Sequence, residues 1–218
     1  AVEAAAKDWS DDAEVVLQTE QLGTGHAVAQ AAAALDGFEG DAIVLYGDTP
    51  FIQPKTLEAM LAARTEHDVV VLGFNAADPG KYGRLIMNGG ALEKIVEFKD
   101  ASGEERAVTL CNSGVICAKS DVLSELVSAV SDDNAAGEYY LTDIIGIARS
   151  KGLSATVVEC AEAETMGINS RAELADGEVA FQARARRAAM DNGVTLQAPD
   201  TVYFSHDTYI GSDTIIEP

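Results

Sequence analysis

Ala42-Ile43-Val44-Leu45-Tyr46-Gly47-Asp48-Thr49-Pro50 is the stretch that decides the fold. Five apolar or aromatic residues in a row read as a strand buried on both faces, and Gly47-Asp48-Thr49-Pro50 ends it with turn formers. Downstream, residues 56–66 carry a helical pattern and residues 69–74 form a second apolar run. Upstream, residues 14–17 read as a strand, 21–25 as a loop, and 26–35 as an Ala-rich helix with Thr24 as its cap. The alternation predicts the α/β class, with a mostly parallel sheet covered by helices and ligands beyond the carboxyl ends of its strands. Asp48 stands at such an end, behind a glycine that lets a ligand approach the backbone. It suits a Mg²⁺ site for a nucleotide phosphate; a loop Asp that caps the next helix is the plain alternative.

The middle of the chain changes character. Residues 85–87, the turn Asn88-Gly89-Gly90 and residues 91–98 read as a β-hairpin, because both glycines favour positive φ. Residues 108–118 read as a strand, 121–130 as a helix, 140–151 as a helix closed by Gly152, and 155–158 as a strand. A long helix over 171–190 runs to Asn192-Gly193. Phe204, Ile210 and Ile216 then recur every six residues, the period of a hexapeptide β-helix. The alternative is a C-terminal β-hairpin. Stacked repeats bury one another, so a single turn of such a prism is expected to be incomplete.

The chain has 218 residues, 47% of them hydrophobic, enough to bury the core of one large α/β domain with a small appendage. Fifteen Lys and Arg face 36 Asp and Glu, a balance of 15 − 36 = −21. No net basic face is available for nucleic acid or an anionic membrane, so neither is an expected partner. No stretch approaches the ~20 apolar residues of a membrane span, and the first residues do not read as a signal peptide, so a cytoplasmic location is expected. Cys111, Cys117 and Cys160 lack C-x-x-C spacing and read as core thiols. In Gly167-Ile168-Asn169-Ser170-Arg171, Asn169 can offer an amide oxygen to a metal, or Ser170 can simply cap the following helix; spacing favours the cap.

Seven segments stand in an order that resembles the bacterial bifunctional N-acetylglucosamine-1-phosphate uridyltransferases. They are Gln18 to Ala27 (QTEQLGTGHA), Tyr46 to Pro50 (YGDTP), Tyr82-Gly83-Arg84, Val96 to Asp100 (VEFKD), Asn112-Ser113-Gly114, Gly137 to Asp143 (GEYYLTD) and Gly167 to Arg171 (GINSR). The resemblance implies a Rossmann-like nucleotidyltransferase fold followed by the start of a left-handed hexapeptide β-helix. It divides the chain into a partial uridyltransferase domain (1–170), a linker helix (171–193) and the first coil of a truncated acetyltransferase β-helix (194–218). By the same resemblance Gln18, Gly23 and Thr24 contact uracil, Tyr46, Gly47 and Asp48 flank the nucleotide, and Gly83, Glu97, Asn112, Tyr140 and Thr142 line the sugar-phosphate pocket. Asp48 and Asn169 become the ligands of Mg²⁺, Asn169 also lying at the sugar nucleotide.

The implied reaction is in-line attack of N-acetylglucosamine 1-phosphate on the α-phosphorus of UTP, giving UDP-N-acetylglucosamine and pyrophosphate with no covalent enzyme intermediate. Lys99 and Arg84 are the nearby candidates to meet phosphate charge. The glycine-rich phosphate loop that opens the family pattern does not occur in this sequence. An internal fragment with negligible uridyltransferase activity is therefore expected, monomeric or weakly associated, from a homotrimeric parent that also acetylates glucosamine 1-phosphate. Two other readings stay open: a different sugar-1-phosphate nucleotidyltransferase, and a non-catalytic module that binds sugar nucleotides.

Overall fold

The computed structural model describes residues 2–218. Its elements begin with α1 (Val2–Trp9), α2 (Thr24–Ala29), β1 (Asp41–Val44), α3 (Pro54–Arg64) and β2 (Val69–Asn75). The hairpin β3 (Arg84–Asn88) and β4 (Ala91–Val96) follows, then α4 (Gly103–Arg106), β5 (Leu110–Lys119) and α5 (Ser120–Ser128). After these come α6 (Ile144–Ser150), β6 (Ala155–Cys160), α7 (Arg171–Asp191), β7 (Thr195–Leu196) and β8 (Ile215–Ile216). The chain forms two compact units. One holds the residues up to Gly47 together with Ile52–Thr165; the other holds Asp48–Phe51 together with Met166–Pro218.

In the first unit the strands follow the order β4-β3-β5-β2-β6, with β1 also paired to β5. The expectation of a mostly parallel sheet is corrected here. Only β2 and β6 pair in parallel, while β5 runs antiparallel to β1, β2 and β3. A central strand buried on both faces needs the same unbroken apolar run in either direction, so its sequence carries no sign of its orientation. The β3–β4 hairpin appears as expected: Asn88 pairs with Ala91 across Gly89 (φ 57°) and Gly90 (φ 87°).

Period-two alternation along β2 sends successive side chains to opposite faces. Val69 and Val71 join Ile116 of β5, Leu123 and Leu126 of α5 and Ile144 of α6 in one cluster. Val70 and Leu72 pack on the other side with Met60 of α3, Val115 and Cys117. Helices therefore cover both faces of the sheet, which is the three-layer α/β arrangement.

Two upstream expectations fail. Residues 14–17 form no strand: Val15, Val16 and Leu17 are exposed, and no strand among the described residues pairs with them. The Ala-rich helix stops at Ala29 and goes on as turns, with Gln30, Ala31 and Ala32 N–H each donating to the carbonyl three residues back. No fully buried residue follows Gly25 in this stretch; Val28 and Ala29 pack half-buried against the core, and beyond Ala29 little apolar surface is buried to hold a longer helix.

In the second unit Ser170 caps α7, its hydroxyl accepting from Glu173 N–H at 3.2 Å. Gly177 lets the helix close on its neighbours, since a Cβ there would lie 3.0 Å from Ile168 Cδ1 and 3.4 Å from the Phe51 ring. Further along, the buried Gln182 amide makes both hydrogen bonds to Phe204, accepting from its N–H at 2.7 Å and donating to its carbonyl at 2.8 Å. Arg186 donates to Val202 O at 2.9 Å and pairs with Asp200. Strand structure in the tail is limited to the parallel pair β7–β8, with Thr195 opposite Ile215 and Leu196 opposite Ile216. A β-helix is thus not displayed among the described residues. Phe204, Ile210 and Ile216 are nonetheless the only half-buried positions among residues 203–218, the rest being exposed.

Candidate functional site

The loop that carries Gln18 to Gly25 is held by a backbone it could not approach without glycine. Gly23 sits at φ 117°, and a Cβ there would lie 2.6 Å from the Tyr139 carbonyl oxygen. Tyr139 N–H donates to Leu22 O, and Gly25 N–H donates to Tyr139 O, each at 2.8 Å. Thr24 is not the cap of α2. Gly23 occupies the N-cap position, and the Thr24 hydroxyl accepts from Leu141 N–H, 117 residues away, at 3.0 Å. The first and sixth motifs therefore form one backbone-linked wall. Against it Gln18 Nε2 donates to Gly23 O at 3.2 Å and to His26 Nδ1 at 3.0 Å. This leaves Gln18 Oε1 to accept from a ligand N–H.

A second group converges at the carboxyl end of β4. Asn112 N–H donates to Gly83 O at 2.9 Å. The Glu97 carboxylate overlies Gly83, its oxygens 3.4 and 3.5 Å from the position a Gly83 Cβ would take. Thr142 Oγ1 donates to Glu97 Oε1 at 3.1 Å. Asn112 Oδ1 accepts from Gly114 N–H at 3.0 Å, and a Cβ on Gly114 (φ 89°) would collide with the Tyr46 ring. Gly83, Glu97, Asn112, Thr142 and Tyr46 are therefore one contiguous set. Gly47 follows Tyr46 with nothing within 4 Å of its Cβ direction.

This set is acidic. Burial raises Glu97 above the usual carboxylate range, the Thr142 hydrogen bond opposes that, and the charges of Asp143 and Asp100 add to it. Asp143 is raised by burial and by Asp100. Tyr140 is raised by burial first, then by the carboxylates of Asp100, Glu138, Glu97 and Asp143, so its phenol stays a hydrogen-bond donor. The roles of Asp143 and Tyr139 were not foreseen. Both lay inside the GEYYLTD segment, and only the fold reveals that Tyr139 contributes its backbone.

Arg84 is not free to meet phosphate charge. It is 2% exposed, lies 6.0 Å above the Phe98 ring, and donates to the carbonyls of Gly80, Tyr82 and Arg106. Five N–H donors on one buried plane suit it to gather three carbonyls, a structural use the Tyr-Gly-Arg spacing did not reveal. Lys99 is exposed.

Asp48 and Asn169 both belong to the second unit. Ile168 N–H donates to Asp48 O at 2.8 Å, which brings the segment before Asn169 alongside the end of the Tyr-Gly-Asp turn. Asn169 N–H donates to Glu173 Oε2 at 2.6 Å, so that carboxylate is engaged in closing the helix start. Asp48 and Asn169 side chains are exposed oxygen donors on bonded segments, which fits a hard divalent cation that keeps most of its shell for phosphate and water. No group of three or more His, Cys, Asp or Glu among the described residues could hold a metal by itself.

A cavity of about 1100 Å³ elsewhere in the first unit is lined by Asp36, Glu39, Asp41, Asp68 and Asp121 against Arg64 and Lys119. It lies at the starts of β1 and β2, away from Tyr46, and its charge is wrong for a triphosphate.

Residues 2–137 match the MobA-like NTP transferase domain. The chain is 60% identical over 217 residues to the bifunctional protein GlmU of Jannaschia sp. (strain CCS1), covering 100% of this chain and 48% of that protein. It is 62% identical over 207 residues to the bifunctional protein GlmU of Cereibacter sphaeroides (strain ATCC 17025), covering 95% and 46%. The chain thus spans about half the length of the curated relatives it matches. Among solved structures, a nucleoside-diphosphate-sugar pyrophosphorylase from Vibrio cholerae RC9 has the same fold, with a TM-score of 0.55, 18% identity, and coverage of 73% of this chain and 66% of that one. An apo UDP-glucose pyrophosphorylase overlaps at a TM-score of 0.59 and 19% identity, covering 77% and 63%. The resemblance read from the seven segments is borne out, and with the domain match running over more than half of its length, the chain belongs to the MobA-like NTP transferase domain family.

Proposed function

We propose that this chain is the uridylyl-transfer part of a protein that converts UTP and N-acetylglucosamine 1-phosphate into UDP-N-acetylglucosamine and pyrophosphate. The observation that carries the reading is the hydrogen-bonded set Gly83–Asn112 and Glu97–Thr142. A carboxylate, an amide and a phenol around a backbone with no side chain in the way match the hydroxyls and acetamido group of an uncharged sugar. The surrounding Asp100, Glu138 and Asp143 disfavour a sugar bearing its own carboxylate, through like-charge repulsion.

On the base side, Gln18 Oε1 accepts from the uracil N3–H, while Gly23 and Thr24 offer backbone groups to the ring. Tyr46 and Gly47 flank the nucleotide, and Asn112 and Tyr140 donate to the sugar. Asp48 and Asn169 would hold Mg²⁺, which when bound neutralises charge on the reacting phosphates. The protein's own work is alignment: a phosphate oxygen of the sugar phosphate forms the new bond to the α-phosphorus as the bond to pyrophosphate breaks. Lys99 is the remaining nearby cation for that charge. The word bifunctional in the relatives' name supports a parent with a second activity, which we assign to acetylation of glucosamine 1-phosphate. The parallel β7–β8 pair and the hexad positions support a tail that begins a β-helix and a parent that is a homotrimer. We place the reaction in the cytoplasm; no helix among the described residues is long and apolar enough to cross a membrane.

The test is ligand-induced stabilisation. UDP-N-acetylglucosamine with MgCl₂ raises the Tm of this chain, and UDP-glucose at the same concentration raises it less. Equal shifts would move the assignment to a glucose-type nucleotidyltransferase. No shift with either would overturn binding itself.

A further inference from the structure

Within the first unit, the set that meets the sugar adjoins a buried cation. Arg84 follows Gly83, the residue that the Glu97 carboxylate overlies. Among the described residues no carboxylate forms an ion pair with its guanidinium. Its N–H groups go to backbone instead: Nη1 donates to Tyr82 O, Nη2 to Gly80 O at 3.1 Å, and Nε and Nη2 both to Arg106 O at 3.4 Å. An unpaired buried charge is costly to keep, and packing alone would be served by an apolar side chain.

The three carbonyls lie on two separate segments. Gly80 and Tyr82 precede β3, whereas Arg106 ends α4, in the connection from β4 to β5. Phe98 belongs to that same connection, and both guanidinium groups stack on its ring, Arg84 6.0 Å and Arg106 4.6 Å from the centre. The turn that contains Phe98 starts at Glu97, whose carbonyl accepts from Asp100 N–H at 3.0 Å. Tyr82 is held as well, packing edge-on against the buried Phe74 with ring centres 5.0 Å apart. One guanidinium thus ties the approach to Gly83 to the segment that turns at Glu97, and every residue involved lies in the first unit.

We infer that Arg84 is a positioning residue for the Gly83–Glu97 pair, setting the spacing of the glycine backbone and the carboxylate that meet the sugar. The inference rests on the function proposed above. It assigns Arg84 no contact with substrate. The fork is what matters: Lys keeps the charge but gathers its donors at one point, which cannot hold two segments at once.

The test compares binding of UDP and of UDP-N-acetylglucosamine by calorimetry with MgCl₂ present, because only the second ligand carries a sugar to this pair. Arg84→Lys weakens UDP-N-acetylglucosamine about five- to ten-fold, the worth of one misplaced hydrogen bond, and leaves UDP within about two-fold. Phe98→Leu keeps an apolar side chain in the turn but removes the ring; it weakens UDP-N-acetylglucosamine about three-fold, with UDP again unchanged. Equal losses for the two ligands in both variants would make the cluster a support of the fold alone and overturn the inference. Unchanged UDP-N-acetylglucosamine affinity in both folded variants would overturn it too, and if Arg84→Lys does not fold, Phe98→Leu decides. An unsubstituted chain that binds UDP-N-acetylglucosamine no more tightly than UDP overturns the proposed function, and this inference with it.

Discussion

Thr142 Oγ1 donates to Glu97 Oε1 at 3.1 Å, joining the turn before α6 to the residue that follows β4. The bond keeps a half-buried carboxylate pointed across Gly83 although burial and the nearby Asp143 and Asp100 all favour its neutral form. Site residues held in an unfavourable charge state are where stability and activity part company.

The first prediction follows from that cost. A carboxyl raised in the folded state binds its proton more tightly there than in the unfolded chain. Stability therefore falls as pH rises from the unfolded value through the folded one, and the full cost stands above the folded value. Glu97→Gln removes the charge and keeps an acceptor for Thr142, so its Tm exceeds that of the starting protein near neutral pH. The gain fades towards the ordinary Glu value of about 4.3. Binding of UDP-N-acetylglucosamine falls in the same variant. Thermal scans at the two pH values check the first part, and an equal difference at both would refute it.

Two glycines separate shape from function. Gly23→Ala places a methyl 2.6 Å from Tyr139 O at φ 117°, which strains the loop and prises it from the sixth motif. The expected cost is about 1–3 kcal/mol, a fall of roughly 3–10 °C in Tm for a chain of this size, with loss of uridine nucleotide binding. Gly47→Ala meets no atom within 4 Å and should leave Tm within about 1–2 °C. Its effect should fall on nucleotide affinity instead. A stability loss at Gly47 matching that at Gly23 would show that the second glycine is structural too.

These contrasts mark what a sequence can tell. The β1 and β2 runs, the Asn-Gly-Gly hairpin and the Gly193 helix stop were legible because each is dictated within a few residues of itself. The direction of β5 was not, since a run buried on both faces has no preferred sense. Residues 14–17 read as a strand because composition sees apolar side chains and not the presence of a partner. For the candidate site, the motifs nominate positions, but the supports around those positions could not be read from them. Thr24 bonding Leu141, Arg84 gathering carbonyls and Tyr139 lending its backbone all depend on segments distant in the chain.

Ser170 and its neighbour distinguish a cap from a ligand. The Ser170 hydroxyl accepts from Glu173 N–H at 3.2 Å, so Ser170→Ala removes the cap of α7 and costs about 1 kcal/mol, or roughly 2–4 °C. Metal affinity should change little. Asn169 uses its backbone N–H at the helix start, and that group survives replacement of the side chain. Asn169→Ala should therefore leave Tm nearly unchanged while weakening Mn²⁺ binding in the presence of UDP-N-acetylglucosamine, as Asp48→Asn should. If Asn169→Ala lowers Tm as far as Ser170→Ala and leaves Mn²⁺ affinity intact, Asn169 is part of the cap and not a ligand.

The thiols complete the set. Cys111, Cys117 and Cys160 are free, the first two buried. Burial pushes Cys117 and Cys160 up to about 11, reinforced by the charges of Asp41 at the first and Glu164 at the second, and it raises Cys111 as well. Near pH 8 a thiol of that acidity is about 0.1% thiolate, against about a quarter for an ordinary cysteine, a difference of roughly two hundred-fold in the reactive form. Ellman's reagent should thus modify the native chain at least about a hundred times more slowly than free cysteine, and all three sites rapidly in concentrated guanidinium. Because Cys160 packs beside Phe74 and Cys111, saturating UDP-N-acetylglucosamine should slow the native reaction further by suppressing the openings through which reagent enters. One thiol per chain reacting at the free-cysteine rate before unfolding would contradict the packing of that cluster.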